Sequence, residues 1–174
     1  MSIERNRHSV GGSNYHFQFT PKYRRGVFRV RIVKKLIEAL IRNKAYKLGI
    51  NLEAIEFGPD HVHIFVTNCR KYSVSKLANH FKGFSSWYIR KNYMDEIKPY
   101  LWGKSFWSSG YFYESIGRVT ADSVKFYIER QQSKHWMHND PDIIMKNIPS
   151  QAQRTLDSFY ISSSDPNASP FTGW

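Results

Sequence analysis

Ile55-Glu56-Phe57-Gly58-Pro59-Asp60-His61-Val62-His63-Ile64-Phe65-Val66 is the stretch on which the reading of this chain turns. Gly58-Pro59 is a turn signal between two apolar runs, so the segment predicts a strand over 50–57, a turn, and a second strand over 61–67. Side chains alternate along a strand, which sets Val62, Ile64 and Val66 on one face and His61, His63 and Phe65 on the other. Two imidazoles two residues apart on one face can reach a common point, a geometry suited to a divalent cation with open positions. His-x-His also occurs on strands that bind no metal, so the pair alone leaves packing and metal binding open. As a metal site it needs a third ligand and a reacting group from elsewhere in the chain.

On the N-terminal side, residues 14–19 set Tyr15, Phe17 and Phe19 against His16 and Gln18, which reads as a first strand. A basic loop with one aromatic follows, Lys22-Tyr23-Arg24-Arg25. Residues 29–48 carry an amphipathic helix with Val33, Leu36, Ile37, Leu40, Ile41 and Leu48 on one stripe, ended by Gly49. On the C-terminal side, residues 73–92 predict a second helix, with Ser73 as its N-cap and Leu77, Ala78, Phe81 and Ile89 on its apolar stripe. Gly83 weakens that helix by about 1 kcal/mol relative to alanine, which predicts a close neighbour there.

Residues 99–110 are aromatic and irregular, with Phe106-Trp107 open between core and a base-stacking platform. A fourth strand is expected over 111–116, with Phe112 in the core, broken at Gly117. Thr120 then caps a third helix over about 121–134, with Asp122 near its positive end.

The order is β-α-β-β-α-β-α, and its first six elements match the split β-α-β, ferredoxin-like arrangement. The expected fold class is therefore α+β: a four-stranded antiparallel sheet, two helices on one face, and a C-terminal helix. Val62, Ile64 and Val66 should face the helices, with His61 and His63 outward on the free face. Residues 1–134 form the expected catalytic unit. Beyond them the pattern fades into a polar stretch with Ser162-Ser163-Ser164, Pro166 and Pro170, so 135–174 reads as an appended extension.

Lys and Arg number 26 against 14 Asp and Glu, a net charge of +12, and aromatics make up 16% of the chain. Positive charge attracts phosphates and rings stack on unpaired bases, so the composition points to nucleic acid; the alternative is a basic protein whose aromatics are core. The single cysteine, Cys69, excludes an internal disulfide and fits a reducing cytosol. No run approaches the ~18 apolar residues of a membrane span, and Met1 to Arg7 is polar and basic with no signal-peptide core behind it. A cytoplasmic location away from membranes is the expectation.

The third helix places Tyr127 and Gln131 at i and i+4, on one helix face. A carboxamide oxygen is a hard ligand suited to Mg²⁺ or Mn²⁺, and a divalent ion beside a phenol can stabilise charge developing on a phosphate under attack. The packing alternative is that Tyr127 merely flanks the stripe of Val124 and Ile128. His8, His16 and His80 stand alone in the sequence and read as structural or surface residues. His135 and His138, at i and i+3, read as part of a polar surface run.

Several motifs now line up in order: Thr20-Pro21-Lys22-Tyr23-Arg24-Arg25, Pro59-Asp60-His61-Val62-His63, Lys82-Gly83-Phe84-Ser85-Ser86, Leu101-Trp102, Gly110-Tyr111-Phe112, Ser115-Ile116-Gly117 and Val124-Lys125-Phe126-Tyr127-Ile128-Glu129-Arg130-Gln131. From about Tyr15 to Gln132 the chain resembles the small single-tyrosine, TnpA-type transposases of prokaryotic insertion sequences. These belong to the HUH superfamily, named for His-hydrophobic-His. The resemblance implies that His61, His63 and Gln131 hold Mg²⁺ or Mn²⁺ and that Tyr127 attacks single-stranded DNA near hairpin ends. The products would be a 5′-phosphotyrosine and a free 3′-OH. It further implies a homodimer in which the tyrosine helix of one subunit can complete the histidine site of the other, with Gly117 part of a hinge. Lys22, Arg24, Arg25, Lys82 and Lys125 are the basic residues expected to contact DNA. The extension from His135 to Trp174 exceeds the compact forms of the family.

Three readings compete with a mobile-element transposase. A domesticated relative acting on host repeats would share its chemistry. A non-catalytic, RNA-recognition-like sheet would explain the element order but leaves His61, His63, Tyr127 and Gln131 unexplained. A histidine-metal hydrolase would turn over without a covalent intermediate.

Overall fold

The computed structural model describes residues 4–101 and 103–117. Along them run β1 (Glu4–Asn6), β2 (Ser9–Gly11), β3 (Tyr15–Phe19), α1 (Arg31–Leu48), β4 (Asn51–Gly58), β5 (His61–Thr67), α2 (Val74–Asn92), the short α3 (Met94–Ile97) and β6 (Phe112–Ser115). The expected helix over 121–134 and the extension 135–174 lie outside the described residues. β1 and β2 pair as a separate antiparallel hairpin. The sequence there lacks apolar alternation and does not announce it.

β3-α1-β4-β5-α2-β6 is the expected ferredoxin-like order. The four strands lie side by side as β4-β5-β3-β6, and each neighbouring pair is antiparallel. This order puts β5, the histidine strand, between β4 and β3. In register, His63 lies opposite Glu56 on β4 and Gln18 on β3. Phe65 lies opposite Ala54 and His16.

The alternation of β5 decides the core. Val62, Ile64 and Val66 are wholly buried in one cluster with Phe17 and Phe19 of β3, Leu36, Ile37 and Leu40 of α1, and Leu77, Ala78 and Phe81 of α2. Removal of this apolar surface from water is the main term holding the helices to the sheet. Gly49 ends α1 in the left-handed conformation at φ 67°, and its N–H bonds back into the last turn. The Ser73 side chain accepts from the Lys76 N–H at 3.3 Å and caps α2.

One expectation fails here, and another finds no answer among the described residues. A Cβ built on Gly83 meets nothing within 4 Å among the described residues, on the exposed side of α2. No described residue closely approaches the glycine. Phe112 is not core: it is 53% exposed on edge strand β6. Phe106 and Trp107 fill the place instead, both buried. The Trp107 indole N–H donates to Ser85 Oγ at 2.9 Å, and that hydroxyl donates to the Phe81 carbonyl at 2.6 Å.

Candidate active site

His61 and His63 project from β5 on the face opposite the helices, as strand parity requires, with ring centroids 5.0 Å apart. They are not splayed into solvent as the outward reading implied: His61 is 7% exposed and His63 8%. Each ring is held at Nδ1 by a polar partner.

For His61 that partner is its neighbour Asp60, with Nδ1 2.7 Å from Oδ1. An ionised carboxylate only accepts, so Nδ1 carries the proton and donates. Asp60 is itself held by Arg24, whose Nε and Nη2 donate to Oδ2 at 3.0 and 2.9 Å. Burial works against charge on Asp60. The hydrogen bonds from His61 and Arg24, together with the positive charge of Arg24, outweigh it and hold the carboxyl below its ordinary pKa. Asp60 therefore stays ionised and keeps His61 in one tautomer.

For His63 the partner is His16, which stands alone in the sequence. His16 Nε2 lies 2.9 Å from His63 Nδ1, and the rings stack at 26° with centroids 5.0 Å apart. Burial lowers the pKa of His16, against the opposing charge of Glu114, its cross-strand neighbour. A His alternating with apolar residues on a first strand gave a face but no register, and register is what brings His16 to His63.

Gly58 is a second site residue that the sequence hid. It is not in the turn but at the end of β4, opposite His61. The His61 ring packs over it so closely that a Cβ would fall 2.6 Å from Nε2 and 2.8 Å from Nδ1. Glycine stands here because only a bare Cα admits the ring.

The basic loop leads directly into this network. Tyr23 and Arg24 have φ of 63° and 50°, a left-handed backbone that costs on the order of 1–2 kcal/mol per non-glycine residue. The loop's base is clamped: Lys22 N–H donates to the Phe106 carbonyl at 2.9 Å, and Ser108 N–H to the Thr20 carbonyl at 3.0 Å. The Arg24–Asp60 pair fixes its far side. Tyr23 is 67% exposed, with the Lys22 ammonium 5.2 Å from its ring centre. Lys82, by contrast, is turned inward: its Nζ donates to the Ser109 and Gly110 carbonyls at 2.9 and 3.0 Å and sits against the Phe19 and Tyr111 rings. Burial lowers its pKa.

Tyr127, Gln131 and Lys125 lie outside the described residues. Before them, Ile116 is anchored to Asn14 by two hydrogen bonds, at 3.0 Å through its N–H and 3.2 Å through its carbonyl. Exposed Gly117 follows immediately.

Among the described residues no group of three or more His, Cys, Asp or Glu side chains converges as a cation site. The fit to a divalent cation therefore rests on the histidine pair. It is favourable at His61, whose Nδ1–H donates to a carboxylate as metal-ligating histidines characteristically do, and His63 Nδ1 is likewise held, by His16. Nε2 of His61 and Nε2 of His63 are the atoms that would meet the ion. The outward positions on central strands β3 and β5 are His16, Gln18, His61, His63 and Phe65, not the exposed aromatic pair of a base-stacking sheet.

The sheet order and the His-hydrophobic-His pair on a central strand define the HUH class. The chain belongs to the IS200-like transposase family: the family model "Transposase IS200 like" matches residues 9–131, a span that ends on Gln131. The transposase for insertion sequence element IS200 of Salmonella typhimurium is 32% identical over 124 residues, covering 71% of this chain and 80% of that protein. The ISDra2 transposase TnpA of Deinococcus radiodurans is 26% identical over 134 residues, covering 77% and 94%. A crystal structure of a candidate transposase from D. radiodurans R1 superposes with a TM-score of 0.58 at 25% identity, covering 75% of this chain and 98% of that one. The REP-associated tyrosine transposase bound to a REP hairpin shares the fold, with a TM-score of 0.52 at 19% identity and coverage of 78% and 75%. The chain is thus a DNA-processing enzyme of the transposase class. Among the described residues no helix is long and apolar enough to cross a membrane.

Proposed function

We propose that this transposase cuts and rejoins single-stranded DNA through a covalent tyrosine intermediate, with His61, His63 and Gln131 as ligands of Mg²⁺ or Mn²⁺ and Tyr127 as nucleophile. The observation that carries the proposal is the pair of buried imidazoles on β5, each fixed at Nδ1, by Asp60 and by His16. A bound divalent ion would supply charge stabilisation at the scissile phosphate. The protein's own part is to hold two ring nitrogens at fixed positions beforehand, so that little reorganisation remains when DNA arrives.

In the attack, the Tyr127 phenolic oxygen forms a bond to phosphorus as the bond to the 3′ oxygen breaks. The phenol's proton leaves it, and the departing 3′ oxygen ends as a hydroxyl. The phosphotyrosine keeps the phosphodiester energy, so a second 3′-OH can reverse the step without ATP.

Residues 1–134 act as the catalytic unit and 135–174 as an extension. Gly117, the first residue past the Asn14 anchor, serves as a hinge that lets the tyrosine helix reach the histidine site of a second subunit in a homodimer. The substrate is single-stranded DNA with hairpin ends, a reading supported by the hairpin in the REP-associated transposase. Lys22, Arg24, Arg25 and Lys125 approach its phosphates, and Lys82 holds the Ser109–Gly110 backbone through its carbonyl contacts.

The test is a hairpin-bearing single strand incubated with the protein and Mn²⁺, then digested with trypsin. A DNA-linked peptide containing Tyr127 is expected, and it should vanish in His61→Ala and in chelator. Mixing Tyr127→Phe with the His61→Ala, His63→Ala double variant should restore linkage if the active site is shared between subunits. Cleavage with no protein-linked DNA would instead mean attack by water.

A further inference from the structure

We infer that His16 is a positioning residue for His63: its Nε2 accepts the His63 Nδ1–H and so fixes the one tautomer whose Nε2 lone pair can meet a cation. This rests on the reading of His61 and His63 as cation ligands.

The two histidines are held unequally. His61 Nδ1 faces a carboxylate oxygen at 2.7 Å. A carboxylate oxygen accepts, so Asp60 sets the His61 tautomer. His63 Nδ1 faces another imidazole nitrogen at 2.9 Å. Between two neutral imidazoles that bond can run in either direction. If His63 donates, its Nε2 keeps a lone pair. If His16 donates, His63 carries its proton on Nε2 and cannot ligate through it. The two tautomers are therefore linked: His16 Nε2 accepts only when His16 carries its own proton on Nδ1.

The surroundings of His16 suit a ring that must not turn. It is 9% exposed, stacked at 26° on His63, and met edge-on by Phe112 at 6.1 Å between centroids. On β3 it is paired across to Phe65 on one side and Glu114 on the other. It does not join the two β5 histidines as a third ligand, since no such three-residue group forms among the described residues. Its contribution reaches the cation through His63. Partners in this outer position characteristically change metal affinity by about 10- to 100-fold.

Long-range ¹H–¹⁵N spectra of the labelled, metal-free full chain read the His63 tautomer directly. The Nδ1–H form is expected; a predominant Nε2–H form overturns the inference. Mn²⁺ titration then compares variants. His16→Phe keeps a ring but no acceptor, and its Kd should rise about 10- to 100-fold while His63 becomes a mixture of tautomers. An unchanged Kd overturns the role. His16→Gln keeps an acceptor and should bind Mn²⁺ more tightly than His16→Phe; equal loss in both assigns His16 to packing only. If Mn²⁺ fails to broaden the His61 and His63 signals of the unsubstituted protein, the metal reading itself falls, and this inference with it.

Discussion

Gly58 and His61 are register partners at the closed end of the β4–β5 pair, and the imidazole occupies the space where a Cβ on residue 58 would sit, 2.6 Å from Nε2. The ring cannot yield freely, because Asp60 holds its Nδ1. Gly58→Ala should therefore push His61 off its position and weaken Mn²⁺ binding by about 10-fold or more, in line with other losses of ligand orientation. Calorimetric titration beside a thermal melt checks this. A full-strength Kd in a folded Gly58→Ala protein would mean that the His61 position does not matter to the ion.

Asp60 and Arg24 form the next shell outward, and they should not be equal. Asp60→Ala removes the acceptor that fixes His61, and a 10- to 100-fold loss of Mn²⁺ affinity is expected. Arg24 is 67% exposed, and solvent-exposed ion pairs contribute about 0–1 kcal/mol. Arg24→Ala should thus change metal affinity much less, and its main effect should fall on DNA binding. Comparing the two variants in one titration series tests the ranking.

The basic residues divide by what they already hold. Tyr23 and Arg24 sit in a strained, clamped loop that offers Lys22 and Arg25 to a ligand, whereas Lys82 is spent on two carbonyls. Each lost phosphate contact should lower the slope of log K against log salt by about 0.7–0.9. Lys22→Ala with Arg25→Ala should show a shallower slope, and Lys82→Met an unchanged one with a lower melting temperature. A slope that falls for Lys82→Met would return it to the DNA-contact set.

Much of this architecture is legible in the sequence because period-2 and period-3.6 patterns are local. Val62, Ile64 and Val66 against His61, His63 and Phe65 gave both the strand and the face that packs on α1 and α2. Ser73 and Gly49 marked the helix ends they occupy. What escaped is non-local. His16 shares a face with Gln18 on any reading of β3, but only the β3–β5 register brings it to His63. Gly58 looked like a turn residue because the neighbouring Pro59 is one; its reason is an imbalance of space across two strands. Phe112 reads as core in the sequence because an aromatic strand resembles a buried one until its place at the sheet edge is known. Gly83 carried a signal of close approach that no described neighbour answers.

Ser85 offers a test of the fold independent of chemistry. Its hydroxyl, wholly buried, joins the Trp107 indole N–H to the Phe81 carbonyl. Ser85→Ala leaves that indole donor without its acceptor, which costs about 1–3 kcal/mol. Urea unfolding should show the loss, with activity per folded molecule preserved. Unchanged stability would mean that the indole finds another partner.

The central claim is that Tyr127 links to DNA while the β5 histidines serve the cation. Its most direct measurement is the covalent adduct formed by Tyr127→Phe beside the unsubstituted protein, on one labelled hairpin-bearing single strand with Mn²⁺. Loss of the adduct with hairpin affinity retained is the predicted result. A Tyr127→Phe protein that still cleaves and still carries linked DNA would contradict it.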